Sequence, residues 1–474
     1  MMIVARQVVN HFAKSKSTKL LLAFFVAFLA LALWVGEQER QHHQALAQHY
    51  SQEVRERWEA SPDKHPHRMA HYGYVAFREK YPLSFFDFGM DAYTGKSVFL
   101  EAHKQNTVNF SEAGNSSSLL RFGQISAAMI LQLLVPLLLF FLGYDLIAKE
   151  REEGILKLLF TQGISWQNLI LGKTIGLFFI SLVLLCSTAF FGLLILVSNG
   201  FEPEVLIRYG LLISTYALYF FIICLIAVLV SAQSRTAKSS LIKLIGFWLF
   251  FTLIMPRIAQ VIGQNGFPSP SKIEFDKAVE ADLIKQGDSH NPDDLHYKAL
   301  KDSILKAYQV DSTHKLPFNY AGLVMREGEK LSAETYNQHQ NRLINIYEQQ
   351  QNVLRYSAFL NPFIGTKNIS MALTGTDFGS FNDFQQQAET FRYQLAQKMN
   401  DLQIKYIGNK VKNSADKKAK IDRQNWIDFP DFKHRFLSLN TVIFAEKWAF
   451  VALFFWLTVL FLPIRYANQW FKII

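Results

Sequence analysis

The chain has 474 residues, 50% hydrophobic and 14% aromatic with 42 phenylalanines, and its mean hydropathy of +0.08 averages long apolar runs with polar stretches rich in Gln, Lys, Asp and Asn; this excludes a purely soluble multidomain protein. The formal charge of +10 at pH 7 lies partly in short segments that flank the apolar runs rather than in one patch, so it reads as a topology signal and no nucleic-acid partner is expected. Cys186 and Cys224 both fall inside apolar runs, where they act as small hydrophobes rather than as a disulfide or a metal pair.

Crossing roughly 30 Å of hydrocarbon takes about 20 predominantly apolar residues, because a helix must satisfy its backbone internally there. Six segments come close: 20–35, 125–146, 174–197, 209–230, 240–262 and 441–463. They predict a membrane protein with an all-α transmembrane bundle of six helices. The first follows Lys14, Lys16 and Lys19, as a cleaved leader would. Its basic approach is long, however, and it ends in Trp34, an interface residue rather than a small cleavage-site residue, so it is read as a span.

Basic residues concentrate in alternate connecting segments. Arg6, Lys14, Lys16 and Lys19 lie in 1–19; Lys149, Arg151, Lys157 and Lys173 in 147–173; Arg235, Lys238 and Lys243 in or beside 231–239; Arg465 and Lys472 in 464–474. The positive-inside rule then places these four segments, and both termini, in the cytoplasm. The short loop 198–208 carries Glu202 and Glu204 against Arg208, as an outer loop would.

Two long segments are left outside, 36–124 and 263–440, each large enough for an extracytoplasmic domain. The first opens with a polar helix through Glu53 and Trp58 and then turns rich in Pro, Gly and aromatics, which predicts an α+β or irregular domain. The second reads as mainly helical, with helices over 294–308, 332–360 and 381–407. Thr374 to Asp377 reads as a turn, with Ser380 capping the next helix. No Asp or Glu falls in the apolar core of a span. Asp145 ends the second span, and Arg257, just after the kinking Pro256, is read as snorkelling to headgroups.

The connector 147–173 is the most informative stretch. It opens with the charges of Glu150 and Arg151 and then becomes amphipathic, with Ile155, Leu158, Leu159 and Trp166 forming one apolar patch. Gly163 breaks the path and Ser165 caps a helix leading into the third span. An elbow of this kind lies in the membrane interface or plugs into a cytoplasmic partner.

Glu150 and Arg151, the run from Gly154 to Leu159, Ser165, and Gly172 with Lys173 resemble the coupling segment of ABC-2-type transporter permeases. Segments 67–73, 100–106 and 373–378 are similar to an uncharacterised ABC-2 subfamily with large extracytoplasmic inserts. The resemblance implies a permease in a bacterial inner membrane that docks on a separate ATP-binding cassette subunit. Glu150, Arg151, Gly154, Leu158, Leu159, Gly163 and Ser165 are the implied coupling residues. It also implies a second permease subunit, the same chain or another, and the large inserts leave room for a periplasmic accessory protein. An alternative is a non-transporting mechanical or signalling subunit whose outer domains act on an envelope partner.

The chain offers no phosphate cradle of its own. Gly172, Lys173 and Thr174 mimic the end of a phosphate-binding loop, but Gln167 stands where its first glycine belongs. ATP hydrolysis is therefore expected in a separate subunit, and no cofactor is expected here. His65, His67, His71 and His103, with Asp87 and Asp91 nearby in sequence, are weak candidates for a zinc or copper site. Their spacing matches no standard site and Pro66 stiffens the chain between two of them, so structural roles are preferred. No His-Glu-x-x-His or Gly-x-Ser-x-Gly signature suggests a hydrolase.

Overall fold

The computed structural model describes residues 1–102, 105, 125–200, 202–287, 294–409 and 419–470. The described residues are mostly helical, with six helices long and apolar enough to cross a membrane and one two-stranded sheet. Helix α1 (Met2–Lys14) ends at Ser15, whose hydroxyl accepts from the Thr18 amide (3.2 Å) and starts α2 (Lys16–Glu59). The predicted span 20–35 is only the first part of α2, which continues unbroken through polar sequence for 44 residues in all. At 1.5 Å per residue α2 is roughly 66 Å long, about twice the hydrocarbon thickness. It is followed by α3 (Pro66–Ala70) and an antiparallel pair, β1 (Tyr74–Phe77) and β2 (Ser97–Leu100), with Tyr74 opposite Leu100.

The second candidate span, Ala127–Glu152, comprises α4 (127–143), a run of turns and α5 (Ala148–Glu152). After it come α6 (Ile155–Thr161), α7 (Trp166–Asn199), α8 (Pro203–Gln233) and α9 (Ala237–Gly266). The long polar segment supplies α10 (Lys272–Gln286), α11 (Leu295–Ala307), α12 (Tyr320–Ser357), α13 (Pro362–Leu373), α14 (Phe378–Tyr406) and α15 (Gln424–Ile427). The chain closes with α16 (Leu439–Ala445) and α17 (Lys447–Arg465). Helices α11, α12 and α14 answer to the three predicted over 294–308, 332–360 and 381–407; sequence reading missed α10 and α13. Asp377, not Ser380, caps α14, accepting from the Gly379 and Ser380 amides.

Helix α8 is the centre of the bundle, with 72% of its most apolar stretch buried against 11% for α9. Both α4 and α9 contain a π-turn, Ile130–Leu134 and Phe250–Ile254, each followed within two residues by a proline. Proline has no amide to offer the preceding turn, so carbonyls are freed there. Tyr219 donates to the Gln132 carbonyl (3.2 Å), Trp248 to the Leu133 carbonyl (2.9 Å), and the Asn361 amide to the Phe251 carbonyl (2.7 Å). Pro256, where a kink is expected from sequence, stands two residues after the π-turn of α9.

The segment predicted as one span over 441–463 is divided. Helix α16 stops at Ala445 and α17 starts at Lys447, with Glu446 between them, only 5% exposed and paired with Arg355 at 2.8 Å. A carboxylate inside the predicted segment is tolerated because it is both paired and placed at a helix break. Helix α13 packs between α8 and α17 and buries Phe363, Ile364, Ile369 and Leu373 in the same core as the spans. With 12 residues it is roughly 18 Å long and too short to cross. Leu83, Phe85 and Phe86 join that core from the loop after β1.

A second hydrophobic core lies beyond the bundle and draws on both long polar segments. Trp58, Met69, Tyr74 and Leu100 from the first meet Phe384, Phe391, Met399 and Trp426 from the second. The Trp58 indole donates to the Trp426 carbonyl at 3.1 Å, and β-bridge Lys64 to Ile421 links the same two segments. His434 packs edge-on against Phe384 (5.3 Å) and Phe436 (5.0 Å).

Close approach and burial each give a test. A Cβ on Gly36 would stand 2.2 Å from the Phe85 carbonyl oxygen, whereas Gly246 has nothing within 4 Å. Gly36→Ala should therefore destabilise the purified protein in detergent by about 1–3 kcal/mol, and Gly246→Ala should leave its thermal midpoint unchanged or raised. Burial, then the charge of Arg78, pushes the His434 imidazole down to about 4. The unfolded ring takes its proton near 6.5, so stability should fall as pH drops through 6.5 and level off below about 4, by on the order of 3 kcal/mol. In His434→Phe, thermal melts between pH 7 and 4 should show a flatter profile.

Candidate functional site

The connector is built where α4 ends. After Gly143 the chain leaves the helix in a run of turns, and Ser231 near the end of α8 takes up the loose backbone. Its hydroxyl accepts from the amides of Ile147 (3.1 Å) and Ala148 (3.0 Å) and donates to the Tyr144 carbonyl (2.8 Å). One donor and two acceptor sites are all a serine hydroxyl has, so this one is saturated.

Glu150, Arg151 and Glu152 each reach a different span. Glu150 pairs with Lys173 of α7 at 2.5 Å, with both side chains largely buried. Arg151 donates to the Ala232 (2.7 Å) and Ser234 carbonyls at the end of α8 and lies 5.9 Å from the Trp166 ring. Glu152 accepts from the Ala237 amide (3.1 Å) at the first turn of α9, where the helix dipole favours a negative charge. Glu150 and Arg151, singled out from sequence, thus point into the protein rather than toward solvent. The role of Glu152 was not legible, because its partner is a backbone amide 85 residues away.

Beyond this anchor the connector turns outward. Gly154 starts α6 with φ of 75° and Gly163 follows α6 with φ of 84°. Neither has an atom within 4 Å of where a Cβ would stand, so it is the left-handed backbone and not crowding that calls for glycine. Between them Leu156 is 1% exposed and holds α6 to the bundle, while Ile155 and Leu158 are 40% and 58% exposed. Leu159 is half-buried against the main core, and Trp166 is buried beside Phe160, ring centres 4.9 Å apart. The single apolar patch expected of Ile155, Leu158, Leu159 and Trp166 is therefore split into an outward pair and an inward pair. Ser165 caps α7 as expected, accepting from the Asn168 amide at 3.3 Å.

Helix α1 lies against the start of α7 through Val4, Ala5, Val8 and Phe12. A Cβ on Gly172 would be 2.7 Å from the Val4 Cβ, and one on Gly176 would be 2.6 Å from the Val8 Cβ. These two glycines, four apart on one face, let the helices touch. Gln167 also donates to the Arg465 carbonyl (3.3 Å), so the connector, α1, the start of α7 and the end of α17 share one end of the bundle.

The histidines do not assemble a centre. His65 caps α3 through Nδ1, which accepts from the His67 amide (3.2 Å), and the His67 and His71 rings meet edge-on at 4.7 Å. Asp87 is buried and accepts from Ser370 and the Gly89 amide, and Asp91 pairs with Arg78 at 3.1 Å. His103 lies outside the described residues. Among the described residues no three His, Cys, Asp or Glu side chains could jointly hold a metal ion.

A family model described as an ABC-2 family transporter protein matches residues 2–274, and one described as a domain of unknown function, DUF3526, matches 272–435. No curated protein matches the chain. The first match takes in α1, the connector and the first five candidate spans, and membrane domains of this kind are not catalytic and generally work with separate ATP-binding subunits. The chain thus belongs to the ABC-2 transporter family, as a membrane permease protein that carries a DUF3526 domain.

Proposed function

We propose that this chain is the permease subunit of an ATP-binding cassette transporter whose separate ATPase docks on α6, and that it moves a substrate across a bacterial inner membrane. One observation carries the reading: the exposed pair Ile155 and Leu158 sits at the tip of a connector whose Glu150, Arg151 and Glu152 are tied to three different spans. A push on α6 is delivered to α7, α8 and α9 at once. In this scheme Leu158, with Ile155, enters an apolar groove of the ATPase, and Gly154 and Gly163 shape the elbow. Leu159 and Ser165 anchor its return, and Glu150 and Arg151 pass its movement on. The basic segments 1–19, 147–173, 231–239 and 464–474 support a cytoplasmic location for this end and for both termini. The segments 36–124 and 263–440 then lie on the outer side, where they share one hydrophobic core, while α13 and the loop after β1 reach back into the bundle. Helix α9, with 11% of its most apolar stretch buried, leaves a face for lipid or a second permease subunit.

A second reading rests on α2. An unbroken 44-residue helix runs from the bundle into the outer core, where its Trp58 is buried. Such a rod would carry ATP-driven movement outward to a periplasmic accessory protein with nothing crossing the membrane.

Three measurements test the docking scheme and the orientation. Leu158→Asp should cut the ATPase recovered with the affinity-purified permease at least tenfold, since burying a leucine is worth about 2 kcal/mol, with expression unchanged. Glu150→Gln should keep the ATPase bound but reduce the response of its hydrolysis rate to the permease; recovery of no ATPase with the unaltered chain would defeat the docking scheme. For topology, Cys186 and Cys224 are first replaced by alanine. A membrane-impermeant maleimide should then label Lys315→Cys in whole cells and Gln162→Cys only after permeabilisation, and the reverse pattern would invert the orientation.

A further inference from the structure

The face of α12 toward α14 and the face of α14 toward α12 carry the same chemistry at the same spacing. Asn337, Gln340 and Asn341 line a cleft from α12, and Asn382, Gln385 and Gln386 line it from α14. On each helix the positions are i, i+3 and i+4, which lie on one face. None of these six side-chain amides has a hydrogen-bond partner among the described residues. The cleft encloses about 470 Å³, within the range of small-molecule sites. Its apolar surface comes from Val98, Leu100, Ala333, Ile344 and Ala388, with the rings of Tyr336 and Tyr393 beside them.

One acceptor in the cleft is fixed from beneath. The Glu389 carboxylate is gripped by two nitrogens of Arg392, at 2.7 and 2.8 Å, and Arg392 in turn reaches the buried Glu329 at 2.6 Å. A forked contact of this kind sets both position and direction. Of the remaining lining charges, Lys330 offsets Glu334, so the cleft has no excess positive charge with which to hold a phosphate or a carboxylate.

We infer that the α12–α14 cleft is a binding site for a neutral oligosaccharide. A carboxamide offers donors and an acceptor together, as a sugar hydroxyl does, and two facing rows of three match the alternating hydroxyls along both edges of a chain of pyranose rings. The apolar faces of those rings cover the tyrosines and the aliphatic floor. An extended peptide is the poorer occupant. Strand addition would have to use the outer edge of the four-residue β2, whose Val98 and Leu100 line the cleft, whereas the two carboxamide rows stand on helices whose backbones are satisfied internally. The inference does not rest on ATPase docking; it takes from the proposed topology only the side of the membrane on which the sugar is met.

The test uses the purified full-length chain in detergent, without any ATPase, applied to an array of neutral oligosaccharides built from glucose, galactose, mannose and N-acetylhexosamine units. Binding to at least one neutral structure is expected, followed by titration calorimetry with that oligosaccharide. Asn341→Ala and Gln386→Ala, both at exposed positions, should each weaken it several-fold, and together at least tenfold, since each removes a hydrogen bond worth roughly 1 kcal/mol. The elution volume and helical circular dichroism should stay unchanged. Glu389→Gln, which keeps an acceptor but loses the grip of Arg392, should weaken binding as well. No binding across the neutral array, or binding that the double variant retains, would overturn the inference. So would preferential capture of an unstructured peptide library at the same residues.

Discussion

Inside hydrocarbon a backbone carbonyl that loses its helical partner has to find another, and the arrangement of this bundle follows from how that demand is met. Pro136 and Pro256 each free carbonyls in the turn before them. The replacements come from other helices: Tyr219 of α8, Trp248 of α9 and Asn361 just ahead of α13. Each bond that repairs a backbone also fixes one helix to another. Ser231 does the same where α4 unravels, so the central position of α8 is electrostatic as well as steric.

The same demand explains a buried polar chain beside α13. Gln132 donates to Tyr216 (2.7 Å), the Tyr216 hydroxyl meets that of Ser370 (3.0 Å), and Ser370 donates to Asp87. Burial raises the Asp87 carboxyl above its usual range, while the bonds from Ser370 and the Gly89 amide pull against that rise. Four segments far apart in sequence are thereby held in one register, namely α4, α8, α13 and the loop after β1. A network whose members are all partnered specifies one packing, because any slip leaves a polar group unpaired in a low-dielectric core.

Outside the bundle the binding logic shifts to apolar contact. The core around Trp58, Phe384 and Trp426 takes side chains from both long polar segments, and α2 enters it directly from the bundle. A displacement of the first span is therefore felt at that core without a hinge in α2. Beside it, Arg392 partners both Glu389 and Glu329 within packed helices, and carboxylates buried in this way persist only when each has a cationic or hydrogen-bonding partner. The proposed coupling elbow, beside the start of α7, and the proposed sugar cleft, beyond the end of α7 where Asn199 meets Glu37 of α2, are thus linked through α2.

Much of this was legible in sequence. Spans are legible because hydrocarbon thickness demands about 20 apolar residues and permits little else, and the glycine positions of the connector are legible because only glycine sits easily in the left-handed region. The capping role of Ser165 and the basic segments of one face follow from equally local rules. Tertiary structure alone decided which way each side chain of the connector points. Leu158 and Leu159 are adjacent and chemically identical, yet one faces solvent and the other the core, because α6 is only seven residues long and its orientation is set by Leu156 and the Arg151 anchor. Helix α13 was equally hidden, since a 12-residue helix within a polar segment carries no signal of length. The division at Glu446 depends on Arg355, 91 residues earlier, and the matching rows of α12 and α14 become one cleft only when the helices are laid side by side. Local rules act through neighbours in the chain, whereas these features depend on partners that only folding brings within hydrogen-bond reach.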